Sequence, residues 1–437
     1  MNGCSMEGDM SLSYPSDWRR DKLARLCAFV GSGGTPDSRN QDYYGGGIPW
    51  VQTGDLDDEW LSETSKTITD EGLRQSPTRL YPATTLLLAM YGATIGKLGI
   101  LKSPATVNQA CCALVLRKVM DVRFMFYKLL SLRAELIAAG RGGGQQNISQ
   151  ETVKQKYLTY PTLPGQQRIA AYLDASCAAI DAAVAAKRRQ LETLDALRKS
   201  IIQQTITNGL DSAVPRKPTD SLYLSAVPTH WAVRSLKQCA DILNGYAFDS
   251  TTYVEDGVPI IRIGDVAATI DWTKVKRVPP ELLSKLSRFI IQRNDILIAL
   301  TGATIGKSAL YCDDTDALLN QRVAVLRASR MNAEFLNYII QTHVFTEPID
   351  LLCSGGAQDN IGKGEVGGIK IPVPLLDEQE SIVGFLNEKT ERLFTLSSVL
   401  ETQIATLTAY RKSLIHECVT GQHRISVADV NRAKATG

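Results

Sequence analysis

A chain of 437 residues is too long for one ordinary hydrophobic core, and 44% apolar with 22% charged residues is the make-up of a globular protein of two or three domains. A formal net charge of +2 excludes nucleic-acid binding through overall basicity, so any basic surface has to be local. Nine scattered cysteines without a C-x-x-C pair, and histidines (His230, His343, His416, His423) without ligand spacing, argue against a disulfide scaffold and a metal centre.

Residues 1–14 read as an N-terminal extension with acidic residues and no apolar core, so no signal peptide is expected and the chain reads as cytoplasmic. From 15 to 164 glycine and proline punctuate the sequence. Short β-rich runs at 48–52, 85–89 and 113–117 predict a compact mixed α/β domain there. Residues 165–210 predict one long helix: Leu173, Ile180, Val184, Leu191, Leu194, Leu197 and Ile201 recur at three- and four-residue steps. Its Ala-rich stretch at 169–186 is broken by Asp174 and Asp181, which makes a poor membrane span. A linker at 211–227 leads to a second mixed domain at 228–376, with β-rich runs at 259–263, 296–300 and 323–327. A second long helix follows at 377–421, carrying Leu386, Leu393, Leu396, Leu400, Ile404, Leu407 and Leu414, and 422–437 is a tail.

The second half repeats the first. Tyr91-Gly-Ala-Thr-Ile-Gly-Lys97 returns as Thr301-Gly-Ala-Thr-Ile-Gly-Lys307, 210 residues on, and the Gly47 to Asp55 segment answers Gly257 to Asp265 at the same offset. Pro15-x-x-Trp18 matches Pro228-x-x-Trp231, Asn108-Gln109 matches Asn320-Gln321, Asn147-Ile148 matches Asn360-Ile361, and Arg198-Lys-Ser200 matches Arg411-Lys-Ser413. These anchors keep one order with small drifts in offset, so the chain is one unit written twice. The helical stripes imply an antiparallel coiled coil between two equivalent heads, giving a pseudo-two-fold molecule of mixed α/β class. A helix of about 43 residues spans roughly 65 Å, nearly two turns of B-DNA.

This head–helix–head–helix order resembles the specificity subunit of Type I restriction–modification systems. The resemblance covers about residues 13–421 and is carried by the paired P-x-x-W openings, the paired GATIGK segments followed by Asn-Gln, the G-x-Q-x-N-I region, and the Q-x-x-I helix starts at Gln166/Ile169 and Gln379/Ile382. It implies two target-recognition domains, each reading half of a bipartite site in double-stranded DNA, and helices that dock two methyltransferase subunits. It also implies no catalytic residue and no metal on this chain. S-adenosylmethionine, ATP and magnesium belong to the modification and restriction/translocase partners.

If each head reads a different half-site, the reading residues belong where the copies differ. That singles out residues 32–40 (Thr35, Arg39) against 244–249 (Tyr246), and Gln52-Thr53 against Arg262-Ile263. Trp18/Trp231 and the shared Asn-Gln pairs read as scaffold. The glycine-rich stretches 140–147 and 355–360 are loops whose Arg141, Gln145, Gln146, Gln358, Asn147 and Asn360 have the donors and acceptors for base contact. The alternatives are a polar surface loop and, for the shared asparagine, a side chain that holds backbone. The GATIGK segments leave two readings. Tyr91, Thr94 and Lys97, with Thr301, Thr304 and Lys307, touch DNA, or the segment is a structural turn with a solvated lysine. A phosphate-binding P-loop needs one residue more than Ala-Thr-Ile supplies, and Leu98 stands where a serine or threonine would bind magnesium. No [DNS]-P-P-[YFW] motif, G-x-G-x-x-G loop or catalytic triad appears. The competing reading is a coiled-coil interaction scaffold with two ligand-binding heads and no DNA role.

Overall fold

The computed structural model describes residues 15–140, 147–267, 269–299, 306–354 and 362–436. Contacts divide it into two compact units: residues up to Arg188 together with those from Thr402 on, and Arg189–Glu401. Each unit therefore combines one head with parts of both long helices, Leu163–Asn208 and Leu376–Thr420.

The centre of the first head is a five-stranded sheet in the order Cys27–Ser32, Cys111–Leu116, Leu86–Ala89, Leu98–Leu101, Glu59–Leu61. Its inner strands are apolar at every position because both faces are covered. Leu86, Leu88, Cys112 and Leu114 join a core with the helices, while Leu87, Ala89, Cys111 and Ala113 join one with the second sheet. That division follows the two-residue period of a strand. It also puts the neighbouring Cys111 and Cys112 on opposite faces, where burial pushes both thiols up to about 12. The second sheet runs Thr67–Ile68, Tyr44–Val51, Ala105–Val107, Leu80–Tyr81, and its two central strands are parallel.

The second head repeats this plan. Its sheets run Ala240–Asn244, Val323–Ala328, Ile296–Ala299, Ser308–Leu310 and Arg277–Val278, Val258–Ile261, Ala317–Leu319, Ile290–Ile291. Ile296, Ile298, Ala324 and Leu326 face the helical core, and Leu297, Val323 and Val325 face the other sheet. The chain between the long helix and this head forms a hairpin, Arg216–Ser221 with Leu224–Pro228, whose Leu224 and Val227 enter the helical core. Two sheet-containing α/β domains with a long helix between them is the class expected from the repeat.

Two of the repeated features have a clear structural duty. The P-x-x-W openings are turns closed by Trp18 N to Pro15 O at 3.0 Å and Trp231 N to Pro228 O at 2.9 Å. Gln166 and Gln379, at the helix starts, are almost wholly buried. Gln166 accepts from Asp121 N and donates to the Val119 and Pro161 carbonyls. Gln379 accepts from Asn332 N and donates to the Pro374 carbonyl. Asp121 and Asn332 in turn cap Val122–Ser131 and Ala333–Ile339. The copies also exchange charges while keeping geometry. Tyr127 and Arg123 meet Asp174 in one, whereas Tyr338 donates to Asn387, which donates to Glu334, in the other.

The long helices are buried where they meet a head. Ile169, Ala170, Leu173, Cys177 and Ile180 share the first core with Leu414, Ile415, Cys418 and Val419; Ile202 and Ile206 share the second with Ile382, Val383 and Leu386. In the first unit the two segments run antiparallel, with Asp181 on Arg411 and Lys187 on Gln403. Leu163–Asn208 is long and apolar enough to cross a membrane by length and composition. Its apolar face is instead used in these cores, and Asp174 and Asp181 are paired with arginines. The expected stripe is shallow elsewhere: Leu191, Leu194, Leu393 and Leu400 are half-buried, and Leu197 and Leu396 are 46% and 53% exposed. Two helices without a third layer cannot cover a leucine on all sides.

Lys128 is the one lysine in the buried set of the first head. Its ammonium donates to Thr159 Oγ1 and, at 2.8 Å, to the Val419 carbonyl in the last turn of the second long helix. Burial brings its pKa down from 10.5 to about 8. Between those values the unfolded chain holds a proton that the folded chain has released, so stability rises with pH across that window and is lower below it. Melting temperature, followed from pH 7.5 to 10.5, should rise relative to Lys128→Met, in which this increment is absent.

Candidate nucleic-acid interface

Two parallel strands side by side end at the same edge of a sheet, so their following residues become neighbours. In the first head Trp50 and Val51 pair with Thr106 and Val107, which sets Gln52-Thr53 beside Asn108-Gln109; Asn108 N donates to Val51 O at 2.9 Å. In the second, Ile260 and Ile261 pair with Leu318 and Leu319, which sets Arg262-Ile263 beside Asn320-Gln321. Onto each edge folds the divergent loop that follows the first strand of the head's other sheet, Cys27–Ser32 or Ala240–Asn244. Gly33 N and Gly34 N donate to the Asn108 and Val107 carbonyls, Thr35 Oγ1 meets Gln109 Oε1, and Tyr246 exchanges backbone hydrogen bonds with Leu319 and Gln321. Segments far apart in sequence thus converge on one rim per head.

The rim's frame is common to both heads. Asp55 Oδ2 accepts from Gln52 N at 2.7 Å and Asp265 Oδ2 from Arg262 N at 3.0 Å, each closing a tight turn. Asn108 Oδ1 holds Ala110 N, and Asn320 Oδ1 holds Arg322 N. The glycines that open the loops, Gly33 and Gly245, press against the neighbouring strand end. A Cβ there would lie 1.6 Å from the Val107 carbonyl oxygen and 2.1 Å from that of Asn320.

What the frame carries differs between heads. On the first rim stand exposed Thr35 and Gln109 and half-buried Gln52 and Thr53; farther along the same loop exposed Arg39 hydrogen-bonds Asp37 and holds that carboxyl below its usual range. On the second stand exposed Tyr246, Gln321 and Arg322, and half-buried Arg262, clamped to Asp265 at 3.0 Å. Arg322 escaped sequence reading because its partner position in the first head is Ala110, and the shared Asn-Gln before it reads as scaffold. Of that pair only the asparagine serves the frame on its own backbone; both glutamines are exposed.

The GATIGK segment closes a hairpin. Gly96 N donates to Ala89 O and Ala89 N to Lys97 O, and Gly306 and Lys307 make the same bonds with Ala299. Gly96 and Gly306 have φ of +80° and +81°, a conformation suited to glycine. The strand Leu98–Leu101 follows directly, so the segment opens no helix and lacks the N-terminal amides a P-loop offers phosphate. Tyr91 packs against the helical core, Thr94 is half-buried, and Lys97 reaches Asp57 at 2.9 Å; Lys307 is exposed. Asn147 is exposed beside Ile148, whose N–H bonds Met90 O at 2.8 Å, next to Tyr91. Arg141, Gln145, Gln146, Thr301, Thr304, Gln358 and Asn360 lie outside the described residues. Among the described residues no group of three or more His, Cys, Asp or Glu side chains gathers to hold a metal.

Doubled α/β heads, each followed by a long helix, are the architecture of a two-copy DNA specificity domain. The chain matches the Type I restriction modification DNA specificity domain over residues 15–193 and again over 228–405, and it belongs to that family. Among its relatives is the Type I restriction enzyme MjaVIII specificity subunit of Methanocaldococcus jannaschii, 24% identical over 95% of both chains. The EcoBI specificity subunit of Escherichia coli is 21% identical over 69% of this chain and 65% of that one. In fold it is similar to a chain solved for complex assembly of the type I R-M system, with a TM-score of 0.74 at 17% identity over 94% of this chain and all of that one. The HsdS subunit from Thermoanaerobacter tengcongensis gives 0.51 at 16% identity over 94% of this chain and 98% of that one. Specificity subunits are the non-catalytic components of restriction–modification complexes and work with modification and restriction subunits on DNA.

Alanine at Gly33 or Gly245 should overpack the rim and cost on the order of 1–3 kcal/mol, read as a drop in melting temperature. Gly54→Ala, whose added carbon meets open space, should melt like the parent chain.

Proposed function

We propose that each rim reads one half of a bipartite DNA site and that the long helices dock two modification subunits. The observation that carries this is the pairing of a shared backbone frame with unlike side chains: Thr35, Gln52 and Thr53 on one rim, Tyr246, Arg262 and Arg322 on the other, around a glutamine, Gln109 or Gln321, common to both. Glutamine and arginine present the paired donors and acceptors that distinguish adenine and guanine in the major groove. Two readers with one frame and two codes fit an asymmetric bipartite sequence. S-adenosylmethionine, ATP and magnesium are assigned to the partner chains, and restriction/translocase subunits join the assembled complex. The coiled-coil scaffold reading has no need of a shared rim frame that carries different exposed side chains in each head.

Partner docking draws on exposed apolar side chains of the helices in the second unit. Phe394 is 69% exposed, Leu396 53% and Val399 49%, more apolar surface than a lone helix face needs in water. Phe394→Glu should leave the melting temperature within a few degrees of the parent while abolishing co-purification of the modification subunits. Retained co-purification would remove these side chains from the docking surface.

Mapping methylated adenines in cells that carry the complete system should yield one bipartite motif. Exchanging residues 15–164 with 228–376 should exchange its halves. An unchanged motif after that exchange refutes the assignment of one half-site to each head.

A further inference from the structure

Most guanidiniums around the rims are committed to acceptors of the same head. Arg39 is held by Asp37, Arg262 by Asp265, Arg327 by Asp295, and Arg277 by the Gly257 carbonyl. Arg322 on the second rim and two other exposed ones are not held in this way. Arg79 lies with its guanidinium carbon 4.6 Å from the Phe29 ring centroid, and Arg288 lies 4.6 Å from that of Phe289. Neither has an ion-pair partner among the described residues.

They stand near the start of the same strand in each head, one residue out of register. Arg79 directly precedes Leu80–Tyr81, which pairs with Ala105–Val107; Arg288 is separated by Phe289 from Ile290–Ile291, which pairs in the same way with Ala317–Leu319. Both strand starts abut the divergent rim loop. Gly34 lies against Pro77 so closely that an added Cβ would come within 2.6 Å, and Tyr81 Oη donates to Ser32 O at 2.9 Å. In the second head the Phe289 ring lies 5.5 Å from that of Tyr246. A guanidinium resting on an aromatic ring loses little freedom when it binds, and its N–H edge stays open to a planar or tetrahedral anion.

Resting on the reading of the rims given above, we propose that Arg79 and Arg288 are phosphate clamps, one beside each rim. A guanidinium resting on a ring near the start of the same strand occurs in both heads, reached from different positions, next to loops in which the heads disagree, which suits a contact that does not depend on sequence. A contact to the sugar–phosphate backbone is the same at every sequence, and it fixes the register in which the rim side chains meet the bases.

The test uses the complex of this chain with its modification subunits and two duplexes. One carries the bipartite motif from the methylation map, and the other is a shuffled sequence of equal length. Arg79→Ala and Arg288→Ala should each weaken binding to both duplexes in parallel. Each should also make the slope of log K against log salt shallower by about 0.9, and the double variant by about twice that. Phe29→Leu and Phe289→Leu, which remove the ring and keep the charge, should weaken binding with the slope retained. An unchanged slope in both arginine variants, or a variant that methylates a different sequence, overturns the clamp. If the unaltered complex does not distinguish the two duplexes, the reading of the rims fails, and that result is separate from the slopes.

Discussion

Neither head closes its core with its own repeat. The first head's central sheet buries Leu86, Leu88 and Leu114 against a layer that includes Leu414, Ile415, Cys418 and Val419, from the end of the other repeat's helix. The second does the same with Ile202 and Ile206, from the end of the first repeat's helix. Each such aliphatic side chain contributes on the order of 1.5–3 kcal/mol when fully buried. The Trp231 ring lies against Gly209, just past the end of one helix, and Trp18 against Gly421, just past the end of the other. This exchange of helix ends makes the order head–helix–head–helix obligatory, and it explains why the compact units cut across the repeats.

With the helical face fixed in this way, the opposite face of each central sheet is left for the second sheet, and the two-residue period of the strands assigns every side chain to one side. The parallel pair in that second sheet then brings two strand ends together at one edge. The rim is a consequence of this topology, and its frame is made from what the copies share: the aspartate that closes the turn, the asparagine that holds the next amide, and the glycine that admits close approach. The exchange of Arg123–Asp174 for Glu334–Asn387 around a common tyrosine shows the same rule deeper inside. Geometry is kept while chemistry varies, and where the varying groups are exposed the variation is free to specify a ligand.

The doubling, the apolar strands and the long helices were legible because each leaves a local mark: a repeated string, a run of Leu and Ile, a three-to-four-residue step. Residues 32–35 and 52–53 were visible only as divergence between copies, Asn108-Gln109 read as shared scaffold, and the convergence of all three was not visible at all. The parallel pairing that joins them spans more than fifty positions and leaves no periodic trace. Arg79 and Arg288 were missed for a related reason. The rings they rest on are a distant residue in one head and the next residue in the other, so no common spacing marks them. Leu197 and Leu396 belonged to a clean stripe and are nonetheless exposed, because a stripe records which face is apolar and not whether a third element covers it.

The most conspicuous shared string, GATIGK, follows from that distinction. Its glycine at φ near +80° turns one fully buried strand back into the next, a task identical in both heads, so the residues that perform it recur. Code has the opposite signature. A chain of net charge +2, in which Arg39 and Arg262 are each paired with a carboxylate, has only a few free local cations to gain from counterion release on DNA of arbitrary sequence. A reader with weak general attraction depends more heavily on correct contacts, because the ratio of specific to nonspecific binding, and not affinity alone, selects a site in a genome. On the proposed reading of the rims, the internal pairing of Arg39 and Arg262 serves discrimination: each guanidinium is held in one orientation before DNA arrives, and a mismatched base cannot recover its binding energy by letting it swing.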